Sequence, residues 1–159
     1  MMDDSEYLLA HNTLLSLLED EPDFAKAHNL LGWLYMYHLN NELLAEKHFE
    51  WSVRFDPEYK PAYLHLVELY LRNENYQALE KLIEKATHVK GLSRAYLYLH
   101  KGLIEEMKLN FSTAIKNYKT ALFHSMDTYE IDEIKNHLKR CRIKRFKKLW
   151  SYGYYKNNG

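Results

Sequence analysis

Ala27-His28-Asn29-Leu30-Leu31-Gly32-Trp33-Leu34-Tyr35 decides how the rest of the chain is read, because the pattern returns twice. Displaced by 35 residues it becomes Ala62-Tyr63-Leu64-His65-Leu66-Val67-Glu68-Leu69-Tyr70, and by 35 more Leu97-Tyr98-Leu99-His100-Lys101-Gly102-Leu103-Ile104-Glu105. Leu31 and Leu66 share a place, as do Leu34, Leu69 and Ile104, and as do Gly32, Val67 and Gly102. The apolar residues step by three and four, the spacing of a helix with one buried face. A second helical stretch follows each copy, carrying Ala45 and Phe49, then Ala78 and Leu82, then Ala114, Tyr118 and Ala121. Pro22 and Pro57 cannot continue a helix and so separate the units, and Gly91 takes that role before the third. Each unit predicts two antiparallel helices joined by a short turn.

Working outward, five glycines and three prolines in 159 residues leave too few turns for a sheet protein, so the chain reads as all-α. No apolar run is long enough to span a bilayer, and the opening Met1-Met2-Asp3-Asp4 has the wrong charge for a secretory signal. With one cysteine, Cys141, no internal disulfide can form, and the chain reads as cytoplasmic. The zero net charge conceals a split. Met1 to Ala86 carry 16 acidic residues against 7 Lys and Arg, whereas Thr87 to Gly159 carry 6 against 15. Such polarity either steers a charged partner and pairs copies head to tail, or is spread over solvated helix faces.

These residues resemble the tetratricopeptide repeat. The first unit matches through Leu31-Gly32, Tyr35, Ala45, Phe49 and Pro57, with one extra residue in its turn. The second matches through Tyr63, Leu66, Tyr70, Tyr76, Ala78 and Leu82, with Val67 where the family prefers glycine. The third matches through Tyr98, Gly102, Phe111, Ala114, Tyr118 and Ala121 but places Lys101 and Glu105 at apolar positions, an i,i+4 pair suited to an exposed face. The resemblance implies a right-handed α-solenoid of about three hairpins, near 24–57, 58–91 and 92–126. A half-repeat helix at 3–21 precedes them and a capping helix at 128–150 follows, all in one domain over 1–150. Asp3 with Glu6, and Asp127 with Glu130, have capping-box spacing at the two ends.

The closing helix carries Ile131, Ile134, Leu138, Cys141, Phe146 and Leu149 on an apolar stripe, with Cys141 expected to be buried. Its other positions include Lys139, Arg140, Arg142, Lys144, Arg145, Lys147 and Lys148, a basic patch that reads as a solvated cap or as a surface for acidic protein, nucleic acid or anionic membrane. Residues 151–159 read as a flexible tail.

Catalytic signatures are missing. No phosphate-cradling glycine loop occurs, and no two of the nine histidines stand three or four apart, so no metal site, cofactor or enzymatic activity is expected. Glu105-Glu106 reads as an acidic pair on a solvated face. By resemblance, the first helices line a concave wall. The first unit offers Lys26, Asn29, Trp33, Met36 and Tyr37; the second Leu64, His65, Glu68, Leu71 and Arg72; the third Tyr96, Leu99, His100, Leu103 and Met107. Such an aromatic and aliphatic lining suits a peptide or amphipathic helix of a protein partner. The lysine-rich clamp that some family members use for a carboxylate terminus is largely missing. A filled groove, covered by the amino-terminal helix, is the competing reading. Nucleic-acid binding through the basic helix and assembly into a homo-oligomer are the alternatives to protein capture.

Overall fold

The structure, a computed structural model, describes the backbone of residues 4–157 and the side chains of residues 6–148. The described residues form eight α-helices and no strand: α1 (Asp4–Asp20), α2 (Ala25–Tyr37), α3 (Glu42–Phe55), α4 (Lys60–Arg72), α5 (Tyr76–Ala86), α6 (Arg94–Met107), α7 (Phe111–His124) and α8 (Thr128–Asn157). Helices α2/α3, α4/α5 and α6/α7 are the three hairpins. Contacts divide the chain after Lys90 into two compact units, Met1–Lys90 with α1–α5 and Gly91–Gly159 with α6–α8. The division falls at the link after the shortest helix, where Gly91 has φ 72. Helix α8 continues through residues 151–157, the stretch expected as a tail; Asp3 and residues 158–159 lie outside the described residues.

Each hairpin turn places one residue in the left-handed region: Asn40, Glu74 and Leu109, at φ 49, 53 and 60. The following asparagine N–H then closes the turn onto the preceding helix, Asn41 to Tyr35 O, Asn75 to Tyr70 O and Asn110 to Glu105 O, each at 2.8 Å. The side chains of Asn41 and Asn75 also cap the next helix, accepting from Leu44 N and Ala78 N at 3.1 Å. At the two repeat boundaries within the first unit, one repeat position does the same work twice. His28 Nε2–H donates to Pro22 O and the Tyr63 hydroxyl to Pro57 O, both at 3.0 Å.

The seams of the first and third hairpins each pair a missing side chain with a ring. A methyl group at Gly32 would lie 2.6 Å from the Phe49 ring, and one at Gly102 would lie 2.5 Å from Tyr118. In the second hairpin Val67 occupies the glycine position, and the aliphatic Ile83 stands where the others carry a ring; both are buried. Volume has been exchanged across the seam. In the second unit Tyr118 is fully buried and its hydroxyl is tethered to Glu106, so the ring cannot retreat. Gly102→Ala should therefore destabilise by about 2 kcal/mol through overpacking, although alanine is the better helix former. A fall in the urea midpoint at unchanged m-value checks this; an unchanged or raised midpoint contradicts it.

Candidate interaction surfaces

In the first unit, α2 and α4 lie side by side, and the expected groove residues separate by depth. Asn29 and Met36 are buried and unavailable to a ligand. Lys26, Leu64, Glu68 and Arg72 are exposed, with Tyr37 just so, and Trp33, His65 and Leu71 are half-buried. Three of the polar members, Tyr37, Glu68 and Arg72, are already tied to one another. The Tyr37 hydroxyl donates to Glu68 Oε2 at 2.5 Å. Arg72 donates to Glu68 Oε1 at 3.2 Å and to Glu42 Oε1 at 3.3 Å, and its guanidinium lies 5.8 Å over the Tyr37 ring. Burial, the hydrogen bond to Glu68 and the Glu68 charge push the Tyr37 phenol up to about 12. His65 stacks on Phe49 at 5.0 Å.

Helix α1 covers part of α2, yet the covering is incomplete. Tyr7 stacks on His38 at 3.6 Å and meets Trp33 at 6.5 Å; His11 Nε2 lies 2.8 Å from the Tyr35 hydroxyl. Leu64 remains 42% exposed on the α4 side, so this face is not sealed.

Behind α2, His28 and His48 are buried with their Nδ1 atoms 3.0 Å apart. Because His28 Nε2 carries the proton given to Pro22 O, its neutral Nδ1 accepts and His48 Nδ1 donates. Tyr35, Trp51 and Phe55 enclose the pair. Burial, then the neighbouring His28 and His11, lower His48 to about 4. On the other side of the unit, a cleft of about 880 Å³ opens between α3 and α5. Glu46 and Glu50 stand on one wall, Lys81 and Lys85 on the other, and Tyr70 at the floor donates to Glu50.

The second unit departs furthest from expectation. Glu106 is not solvated: its side chain is fully buried, and four donors converge on one carboxylate. Arg140 Nε and Lys144 Nζ reach Oε1 at 2.9 Å, while Arg140 Nη2 and the Tyr118 hydroxyl reach Oε2 at 2.9 and 2.8 Å. Burial alone would raise the Glu106 carboxyl, but these hydrogen bonds and the Arg140 charge hold it at about 2. Lys148 donates to Leu109 O at 3.0 Å and lies over the Phe111 ring. Three of the seven expected surface cations thus fasten α8 to its own unit. Lys139, Arg142, Arg145 and Lys147 are exposed. Lys101 and Glu105 do not pair with each other; Lys101 lies 5.5 Å over the Tyr98 ring and Glu105 accepts from Asn110.

Leu99 and His100, expected on the groove, are buried; Leu99 belongs to the core that Ile134, Leu138 and Cys141 complete. His100 Nδ1–H donates to Tyr96 O at 2.8 Å, and burial lowers its pKa. Tyr96 and Leu103 are half-buried, and Met107 is 43% exposed. Asp127 caps α8 through Glu130 N at 2.9 Å, as its spacing predicts. Among the described residues no group of three or more His, Cys, Asp or Glu side chains could hold a metal, and no helix is long and apolar enough to cross a membrane.

No protein-family model matches the chain. A curated relative, the uncharacterized protein ycf37 of Porphyra purpurea, is 29% identical over 102 residues, 64% of this chain. The matched segment spans 58% of that relative's length. Two solved structures of MamA superpose with TM-scores of 0.64 and 0.61, each at 18% identity. The first match covers 94% of this chain and 98% of the other, the second 91% and 86%. With the three hairpins, this likeness gives the chain an all-α, tetratricopeptide-type helical-repeat fold.

Proposed function

We propose that this repeat protein is a non-catalytic cytoplasmic interaction module whose α2/α4 face holds a helix or peptide of a protein partner. The observation that carries the reading is the Tyr37–Glu68–Arg72–Glu42 network beside the exposed Leu64. An aromatic anchor fixed before binding loses little side-chain entropy on contact, and its polar neighbours need no new partner to be satisfied. A leucine next to such an anchor suits the spaced apolar side chains of an amphipathic helix. The acidic balance of this part of the chain favours a partner with basic flanks.

The basic helix supports the nucleic-acid alternative less well, because Arg140, Lys144 and Lys148 already serve their own unit. The Tyr37→Ala/Leu64→Glu double variant should lose protein capture from native lysate while its helicity is unchanged. Trp33 is left intact because it also borders the groove between α1 and α2. Capture should persist in moderate salt. Retained capture by the variant, or binding that collapses with salt as phosphate contacts do, would count against the α2/α4 face.

A further inference from the structure

Helix α1 has the apolar spacing of a repeat's second helix, and it packs on α2. The two leave a groove of about 580 Å³ lined by Tyr7, Leu9, Leu14, Leu30, Trp33 and Leu34. Leu9 is 69% and Leu30 49% exposed, so two large aliphatic side chains face water at the rim. The repeat supplies a template for what fits. In the next step along the chain, α2 lies against α3 and α4 and sends Tyr37 to Glu68. Glu68 occupies, 35 residues on, the place of Trp33. A helix seated on α1 and α2 in the same manner would meet Trp33 where α2 meets Glu68.

The same chain carries a helix of matching chemistry. Helix α8 runs antiparallel to α7: Cys141 Sγ reaches Phe111 O at the start of α7, and Lys148 reaches Leu109 O in the turn before it. The backbone of α8 continues to Asn157, past that end. Ahead of it, Ile143 is 49% and Phe146 66% exposed, three residues apart on one face. Among the described residues Arg142, Arg145 and Lys147 form no ion pair. Helix α1 contains four acidic residues and no Lys or Arg.

We propose that the α1/α2 groove receives the distal part of α8, beginning near Arg142, from a second copy of this chain. The contact joins two different surfaces, so each copy retains one free groove and one free α8, and association continues with concentration. The groove's lining includes neither Tyr37 nor Leu64, although Trp33 in it lies 5.8 Å from the Tyr37 ring. The variants below leave Trp33, Tyr37 and Leu64 in place, so the inference stands or falls separately from capture on the α2/α4 face.

Two full-length variants test it: Leu9→Glu/Leu30→Glu in the groove, and Ile143→Glu/Phe146→Glu on α8. All four residues are at least 49% exposed, so both variants should keep wild-type helicity. In sedimentation velocity at low salt the wild-type chain should exceed its 19.2 kDa monomer mass, increasingly so with concentration, and fall back as salt is raised. In each variant alone every copy lacks the same one of the two surfaces, so no contact can form and the variant should sediment as a monomer. Mixed, the two retain one intact groove and one intact α8 and should give a species of twice the monomer mass that grows no further. A monomeric wild-type chain at low salt, association retained by either variant alone, or a mixture that stays monomeric would each overturn the proposal.

Discussion

Glu106→Ala should lower the stability of the second unit by about 3–5 kcal/mol, the range for breaking a buried ionic cluster from one side. The substitution opens a hole at a fully buried side chain and leaves the Tyr118 hydroxyl without its acceptor. Arg140 and Lys144 suffer less, because their side chains are 44% and 46% exposed and can turn to water. That asymmetry yields a sharper test. Glu106→Leu combined with Tyr118→Phe removes the carboxylate and the hydroxyl together while keeping the volume filled, and should recover most of the loss. Urea midpoints of the single and paired variants measure both effects; equal losses in both would show that the hydroxyl is not the stranded group. The wild-type carboxyl also sets an acid limit. Its folded pKa is about 2 against an ordinary 4.5. The stabilisation it provides is complete above about pH 4.5 and is lost as pH falls towards 2.

The first unit should weaken in milder acid. His48 titrates near 4 when folded and at 6.5 when free, so protonation favours the unfolded chain. For a histidine depressed in this way, stability is full above pH 6.5 and declines as pH falls to about 4, by about 3 kcal/mol in total. Geometry gives the reason: His48 already points its Nδ1 proton at His28 Nδ1, 3.0 Å away, so a second proton must go onto Nε2 of a ring that is buried against His28, Tyr35 and Trp51. The groups around the pair are His11, Tyr35, Trp51 and Phe55, so no carboxylate offsets the new charge. His65, in the same unit, is also lowered by burial and acts in the same direction. Urea midpoints at pH 7.5 and pH 5 for the wild type and His48→Leu test this. The wild type should lose stability between them and the variant much less; equal slopes would remove the histidine pair from the account.

The fold was legible in the sequence because each hairpin is fixed by local chemistry repeated at a constant interval. Gly32 and Gly102 announce close approach to a ring, and Pro22 and Pro57 mark where one unit ends. Much of the second unit's surface was misread for want of the same register. Glu106 stands 35 residues after Leu71 and 70 after the buried Met36, so its column is an apolar one. A carboxylate in that column must be paired, and its partners come from α8, which lies outside the repeat and has no column of its own. The turn asparagines Asn41, Asn75 and Asn110 recur plainly and could have been found the same way. Burial of Leu99 and His100 had no local signal, since it depends on how α8 closes the unit.

A photocrosslinking residue placed at position 64, compared with one at position 147, addresses recognition most directly. Both positions are exposed, one on the α4 side of the aromatic face and one on the basic helix. Irradiated in native lysate, position 64 should give discrete protein adducts that persist in moderate salt and vanish in the Tyr37→Ala background. Nuclease-sensitive adducts from position 147, with none from position 64, would contradict recognition of a protein partner by this face.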